Sequence, residues 1–224
     1  MRLKVTVGAL LVSAVLIGST ACGSQQASQS TAEVAQEGVD HGAMDHGAMD
    51  HSGHSMSMDL GPKDETFDLR FIDAMTLHHQ GAVDMANAAV ENSNRMEIQN
   101  LAEDIISAQD QEISQMQQWR QAWYPDVAAE PVMYDSSKGE MAPMSAEMES
   151  AMKMNVDLGA PDDEFDLRFI QAMIPHHEGA LDMAQEALEK SDRTEIRQLA
   201  EAILTSQQQE IDQMQQWQKE WYGN

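Results

Sequence analysis

The sequence predicts an all-α fold: a four-helix bundle built from two duplicated helical hairpins, with a long crossover between them. Residues 59–124 align with residues 157–222 at a constant offset of 98 positions without a gap, and 40 of the 66 aligned pairs are identical. Within each repeat, apolar residues recur every three or four positions, as on one face of a helix. Because a two-helix hairpin cannot bury its apolar stripe alone, we expect the repeats to pack together.

The N-terminal residues 1–21 have the features of an export signal. A basic start at Arg2 and Lys4 precedes an apolar stretch and a run of small residues. The next residue, Cys22, is the only cysteine and resembles the lipidated cysteine of bacterial lipoproteins. Ser19 stands where that pattern prefers an aliphatic residue, so an ordinary signal peptide is the alternative. We expect an exported protein on the periplasmic or cell-surface side of the cytoplasmic membrane, anchored there by a lipid on Cys22.

Residues 22–58 are a low-complexity segment that we expect to form a disordered tether. Four histidines and four methionines fall within its last 18 positions, where no core exists to explain them by packing. Such His-rich tracts collect metal ions, and added methionine favours copper over zinc. A repeat expansion without function is the alternative. The weaker candidate ligands in this tract are His41, Met44, His46, Met49, His51 and His54.

The predicted bundle occupies residues 59–224, and each repeat should form two helices. Asn94 with Glu97, and Asp192 with Glu195, are expected to be capping boxes that begin the second helices. Aromatic residues near the ends of these helices are expected to seal the bundle by burying large apolar area. They are Trp119, Trp123, Tyr124, Trp217, Trp221 and Tyr222.

The crossover between the repeats, residues 125–156, is long for a bundle connection. Four methionines within it have helical spacing, which predicts a short crossing helix. They are Met141, Met144, Met148 and Met152.

The first helix of each repeat carries a Met-x-x-His-His pattern, which puts a thioether and two imidazoles on adjacent turns of one face. Thioether sulfur selects soft ions, above all Cu(I), whereas imidazole also accepts Cu(II). Methionine on an apolar face is more often core, so the tether is what favours metal. The candidate ligands are Met75, His78, His79, Met85, Met116, Met173, His176, His177, Met183 and Met214, with Glu112 and Glu210 as weaker candidates.

The charge of the chain excludes some functions. The formal net charge is −25, and removal of Arg2 and Lys4 with the signal would take it to −27. Such a charge repels nucleic acid and attracts cations. With one cysteine, an intramolecular disulfide and cysteine-based zinc sites are also excluded.

A longer motif resembles a known family. Phe165 and Phe169 precede Met173-Ile174-Pro175-His176-His177, followed by Ala180, Met183 and Ala184, and the second helix carries Leu199, Ile203, Gln207, Glu210, Met214 and Trp217. This pattern resembles the bacterial family called domain of unknown function 305. The resemblance implies a ferritin-like helical bundle and an extracytoplasmic copper-binding protein whose Met and His positions are the ligands. The first repeat departs from it, with Thr76-Leu77 in place of Ile174-Pro175.

We therefore expect a copper-binding lipoprotein that buffers, sequesters or delivers copper, with copper-transport proteins and the membrane as partners. It is expected to be a binding protein without catalytic residues, although redox activity on copper stays open. A ferritin-like di-iron oxidase would need Glu-x-x-His on two helices, and this pattern does not occur in the sequence. A metal-free envelope scaffold is the remaining alternative.

Overall fold

The computed structural model describes residues 59–223. It confirms the predicted helical bundle and adds a small two-stranded sheet. In chain order, the elements are α1 (Phe67–Asn92), α2 (Met96–Trp123), β1 (Val132–Asp135), β2 (Glu140–Pro143), α3 (Ala146–Lys153), α4 (Phe165–Lys190) and α5 (Thr194–Tyr222). The export signal, Cys22 and the Met/His tether lie outside the described residues. Within residues 59–223, no helix is both long and apolar enough to cross a membrane.

The four long helices follow the sequence repeat. α1 and α4 each have 26 residues and begin at equivalent positions of the two repeats. α2 has 28 residues and α5 has 29. Within each repeat the two helices pack as a hairpin, and α1 packs against α4 to join the hairpins.

The core consists of two apolar clusters that alternate along α1 and α4. The first cluster takes residues 67–77 of α1 and residues 180–187 of α4. The second takes residues 82–89 of α1 and residues 165–173 of α4. Between them, each helix contributes two buried histidines. The bundle therefore has a polar layer between two apolar clusters, and the central helices cross it in opposite directions.

The predicted capping boxes are wrong. Arg95 and Arg193 hold the N-cap positions of α2 and α5, in extended conformation and without a side-chain cap. Their guanidinium groups pair with Asp166 and Asp68, respectively. These residues are thus fixed by contacts with other helices, which local sequence signals do not contain.

The crossover forms an antiparallel hairpin and the expected short helix, although only Met148 and Met152 of the four methionines lie in that helix and Met141 lies in β2. β1 pairs with β2, and the Asp73 carboxylate of α1 accepts hydrogen bonds from the Val132 amide and from Arg120. The hydroxyl of Ser145 caps α3. Met144 is buried, whereas Met148 of α3 is exposed. The hairpin was not predicted, and it places the crossover against α1.

Candidate metal centre

Two histidines from different repeats meet at the centre of the bundle. The ring centroids of His78 in α1 and His176 in α4 are 3.9 Å apart, with their planes inclined at 45°. Both side chains are buried. The contact arises because both helices turn the same face toward each other where they pack, and the repeat puts histidine on that face in each.

Two further histidines are held by glutamates. The Nε2 atom of His79 lies 2.6 Å from an Oε2 of Glu112, and that of His177 lies 2.5 Å from Oε2 of Glu210. Both rings are buried, whereas the glutamate side chains are 19% exposed. Because an ionised carboxylate only accepts hydrogen bonds, each Nε2 serves as the donor. We call these four histidines and two glutamates the polar layer.

Several ring nitrogens of the polar layer are buried without a hydrogen-bond partner. Among the described residues these are both nitrogens of His78 and the Nδ1 atoms of His79, His176 and His177. Leaving such a group unpaired costs about 1–3 kcal/mol. Histidines that bind metals characteristically donate one ring N–H to a carboxylate or carbonyl and use the other nitrogen as the ligand. Each of these nitrogens is therefore a candidate metal ligand.

The protonation state of the central pair favours metal binding. Burial lowers the pKa of His78 well below its usual value, and the neighbouring His176, His79 and His177 lower it further. Burial and then His177 lower the pKa of His176 to about 3, although the carbonyls of Lys153 and His78 oppose this shift. Both rings are thus neutral at ordinary pH, so their lone pairs are available.

The candidate methionines are buried on both sides of the polar layer. Met75, Met116 and Met183 lie in the first apolar cluster. The second contains Met85, Met173 and Met214. Each cluster therefore mixes thioethers from both repeats: Met183 joins those of the first repeat, and Met85 joins those of the second.

A metal ion in the polar layer would need ligands besides histidine and carboxylate. Within the described part of the chain, no three His, Cys, Asp or Glu side chains are grouped closely enough to hold a metal ion. The methionines of the two apolar clusters offer thioether sulfur, which favours soft ions such as Cu(I). Gln109 and Gln207 are also buried, each with an Oε1 atom that has no hydrogen-bond partner.

Comparison with known proteins identifies the family. The family described as domain of unknown function (DUF305) matches residues 68–218. The chain belongs to the DUF305 family. A search of curated proteins found no significant match.

Solved DUF305 and CopM structures are similar to this chain. CopM in a silver-soaked form and in the Cu(II)-bound form matches with 35% identity and a TM-score of 0.55, covering 69% of this chain and 97% or 98% of CopM. The Cu(I)-bound form of CopM matches with 35% identity and a TM-score of 0.53, over 69% of this chain and 97% of CopM. A DUF305 fragment from Deinococcus radiodurans matches with 26% identity and a TM-score of 0.51, over 69% of this chain and 96% of the fragment.

One backbone group near the histidines was not predicted from the sequence. The backbone carbonyl of Lys153, at the end of α3, lies 3.0 Å from Nε2 of His176. A backbone atom has no sequence motif, but Gly81 could have indicated that another segment packs closely against α1. A glycine inside a helical pattern often has a packing reason, and here a side chain at Gly81 would collide with that carbonyl.

Proposed function

We propose that this DUF305 protein is an exported copper-binding lipoprotein, with preference for Cu(I), that buffers, sequesters or delivers copper outside the cytoplasmic membrane. The observation that carries the proposal is the polar layer, in which unpartnered imidazole nitrogens are buried between two methionine-containing clusters. The similarity to CopM structures in Cu(I)-, Cu(II)- and silver-bound forms supports it.

The preference for Cu(I) rests on ligand chemistry. The six buried candidate methionines offer uncharged thioethers, which bind soft monovalent ions in preference to zinc or iron. Thioether has no proton to lose, so such ligands still work at acidic pH. The Met/His tract of residues 41–58 would add a second set of ligands of the same chemistry.

A competition titration tests the copper proposal. The mature chain, with Cys22→Ser for solubility, is titrated with Cu(I), Cu(II), Zn(II) and Fe(II) against chelators of graded affinity. We expect Cu(I) to be held most tightly. The companion variant changes His78, His79, His176 and His177 to alanine and should lose the tightest site. Failure of the wild type to compete with a moderate Cu(I) chelator would rule out the copper function.

A methionine pair provides a matched comparison. Met75→Leu with Met173→Leu removes two buried thioethers and nearly preserves volume. Met96→Leu with Met148→Leu makes the same change at two exposed positions. We expect the buried pair to lose Cu(I) affinity and the exposed pair to keep it. Equal affinity in both variants would assign the binding to histidine alone.

The lipid anchor is tested separately by metabolic labelling with a radioactive fatty acid. The wild-type chain should incorporate label and sediment with membranes, whereas Cys22→Ser should do neither. Label retained in the variant would contradict lipidation at Cys22.

A further inference from the structure

The crossover reaches the polar layer through the last turn of α3. The carbonyl of Lys153 lies 3.0 Å from Nε2 of His176 in α4. It also abuts α1, where a Cβ atom on Gly81 would lie 1.8 Å from the same oxygen. No side chain fits in that space, so glycine at this position is what allows α3 to approach. We call this contact the Gly81 notch.

This contact makes the two repeats unequal. The crossover occurs once, between the repeats, so only one of the two central histidines has such a carbonyl. His78, the counterpart of His176, has no hydrogen-bond partner on either ring nitrogen. The counterpart of Gly81 is Gly179, which is only half-buried, whereas Gly81 is buried.

We propose that the Lys153 carbonyl, admitted by the Gly81 notch, is a positioning group that holds His176 as its Nε2–H tautomer and leaves Nδ1 as its metal-binding nitrogen. This inference rests on the proposed copper function where it concerns metal affinity. The tautomer itself is a property of the metal-free protein.

The chemistry of the contact fixes the direction of the hydrogen bond. A carbonyl oxygen can only accept, so the proton must be on Nε2. In a neutral imidazole, the other nitrogen then carries the lone pair. The glutamates do the same for His79 and His177 through their Nε2 atoms. Three of the four histidines therefore present Nδ1, and His78 alone is free to present either nitrogen.

A competing acceptor makes the proposal testable. The backbone carbonyl of His78 also acts on the His176 ring, in the direction that favours a ring proton. If that carbonyl accepted a hydrogen bond from Nδ1–H, the lone pair of the ring would instead lie on Nε2, facing Lys153. The 3.0 Å contact with the Lys153 carbonyl favours Nε2 as the protonated nitrogen.

Long-range proton–nitrogen NMR correlation of the metal-free, ¹⁵N-labelled full chain distinguishes the two tautomers directly. The His176 signals are assigned by their loss in His176→Gln. We expect the Nε2–H pattern for His176 at neutral pH. An Nδ1–H pattern in the wild type would overturn the proposal without any further variant.

Two glycine variants separate the notch from a general effect of substitution. Gly81→Ala displaces Lys153 and should change the His176 tautomer pattern, whereas Gly179→Ala, the same change at the equivalent position of α4, should not. Lys153→Ala keeps the backbone carbonyl and should also leave the pattern unchanged. A wild-type pattern in Gly81→Ala, or an altered pattern in Lys153→Ala, would contradict the assigned role of the carbonyl.

Copper affinity provides the second readout. Loss of a group that orients a ligand typically weakens metal binding by about 10- to 100-fold, which is the loss expected for Gly81→Ala. Gly179→Ala should match the wild type. If wild-type His176 has the Nε2–H pattern but the protein fails to bind Cu(I), the copper function fails and the assigned tautomer stands. If Cu(I) binds but His176 is Nδ1–H, the positioning role fails alone.

Discussion

At the level of single residues, His78 differs from His79 although they are neighbours on α1. Neither ring nitrogen of His78 has a partner, whereas His79 donates to Glu112. Without metal, His78 is therefore an unsatisfied polar group in the core, and its replacement by an apolar residue removes an energetic penalty.

We expect His78→Leu to raise the free energy of unfolding of the metal-free protein by about 1–3 kcal/mol. His79→Leu should lower it, because Glu112 would lose its partner. Urea denaturation in the presence of a chelator measures both changes. Destabilisation by His78→Leu would mean that the ring makes a favourable interaction in the metal-free protein.

The central pair also predicts a pH dependence. The pKa values of His78 and His176 are lowered in the folded protein, that of His176 from 6.5 to about 3. The unfolded chain therefore binds more protons below pH 6.5, and stability falls as the pH decreases from that value toward the folded pKa. The limiting slope is about 1.4 kcal/mol per pH unit for each histidine.

This pH dependence is measured as the urea midpoint of metal-free protein between about pH 7 and pH 5, above the range in which most carboxylates titrate. His78→Leu should show a shallower slope than the wild type, because one of the two buried groups is gone. An identical slope in both proteins would show that other groups cause the acid sensitivity.

The sequence predicted which residues face the core but not which of them pack together. Helical spacing indicated that Met85 and Met183 are buried, and both are. Each of them packs among methionines of the other repeat, because α1 and α4 run in opposite directions across the polar layer. The ring contact of His78 with His176 has the same origin, because it depends on where two distant helices pack.

At the level of whole elements, α4 runs unbroken from Phe165 to Lys190 with Pro175 in its interior. Proline lacks the N–H that would bond the carbonyl of Gln171, so it weakens the helix one residue before His176. The first repeat has Leu77 at the equivalent position.

We expect Pro175→Leu to stabilise the protein by about 1–3 kcal/mol, since it restores a helix hydrogen bond at an exposed position. The reciprocal change, Leu77→Pro, should destabilise it by at least as much, because Leu77 is buried. Thermal unfolding of the two variants tests this. A lower melting temperature for Pro175→Leu would mean that α4 requires the proline for its packing.

Two equivalent sets of arginine contacts, which we call the clasps, join the hairpins at the N-termini of α2 and α5, where the predicted capping boxes are wrong. Arg193 pairs with Asp68 and lies 4.3 Å over the ring of Trp123. Arg95 does the same in the other half, with Asp166 and Trp221. Each arginine thus contacts an aspartate and a tryptophan of the other repeat.

Removal of either clasp should destabilise the bundle. A cation–π contact and an ion pair together contribute about 1–2 kcal/mol, so Arg95→Ala and Arg193→Ala should each lower the free energy of unfolding by that amount. Lys219→Ala, at an exposed position of α5, is the control and should change little. Equal effects of all three substitutions in urea denaturation would argue against the clasps.

Sequence patterns predicted the elements unevenly. The long helices followed from periodicity, because their apolar spacing is local. The short α3 was expected from four methionines, of which only Met148 and Met152 lie in it. The hairpin of β1 and β2 was not predicted, although its pairing is local. Its docking against α1 depends on a hydrogen bond from the Val132 amide to Asp73, 59 positions away. The aromatic ends were correctly expected to pack on the core, but the arginines that cover them are distant in sequence.

At the scale of the whole molecule, the polar layer divides a core that could otherwise be continuous. Its buried histidines lack part of their hydrogen bonding in the metal-free protein. Copper bound by His78 and His176 would link α1 to α4, and ligand at about 100 times its Kd would add about 2.7 kcal/mol to stability. Duplication explains this architecture, because each repeat supplies one half of the layer and one aromatic end. The resemblance to DUF305 proteins predicted the fold, whereas the shared central pair required the structure.

The location of copper in the loaded protein tests the proposed binding site most directly. Crystals of the mature chain loaded with one equivalent of Cu(I) are measured on both sides of the copper absorption edge. We expect an anomalous peak inside the bundle, beside His78 and His176 and within bonding distance of a buried methionine sulfur. Anomalous peaks confined to surface residues, with none in the polar layer, would contradict it.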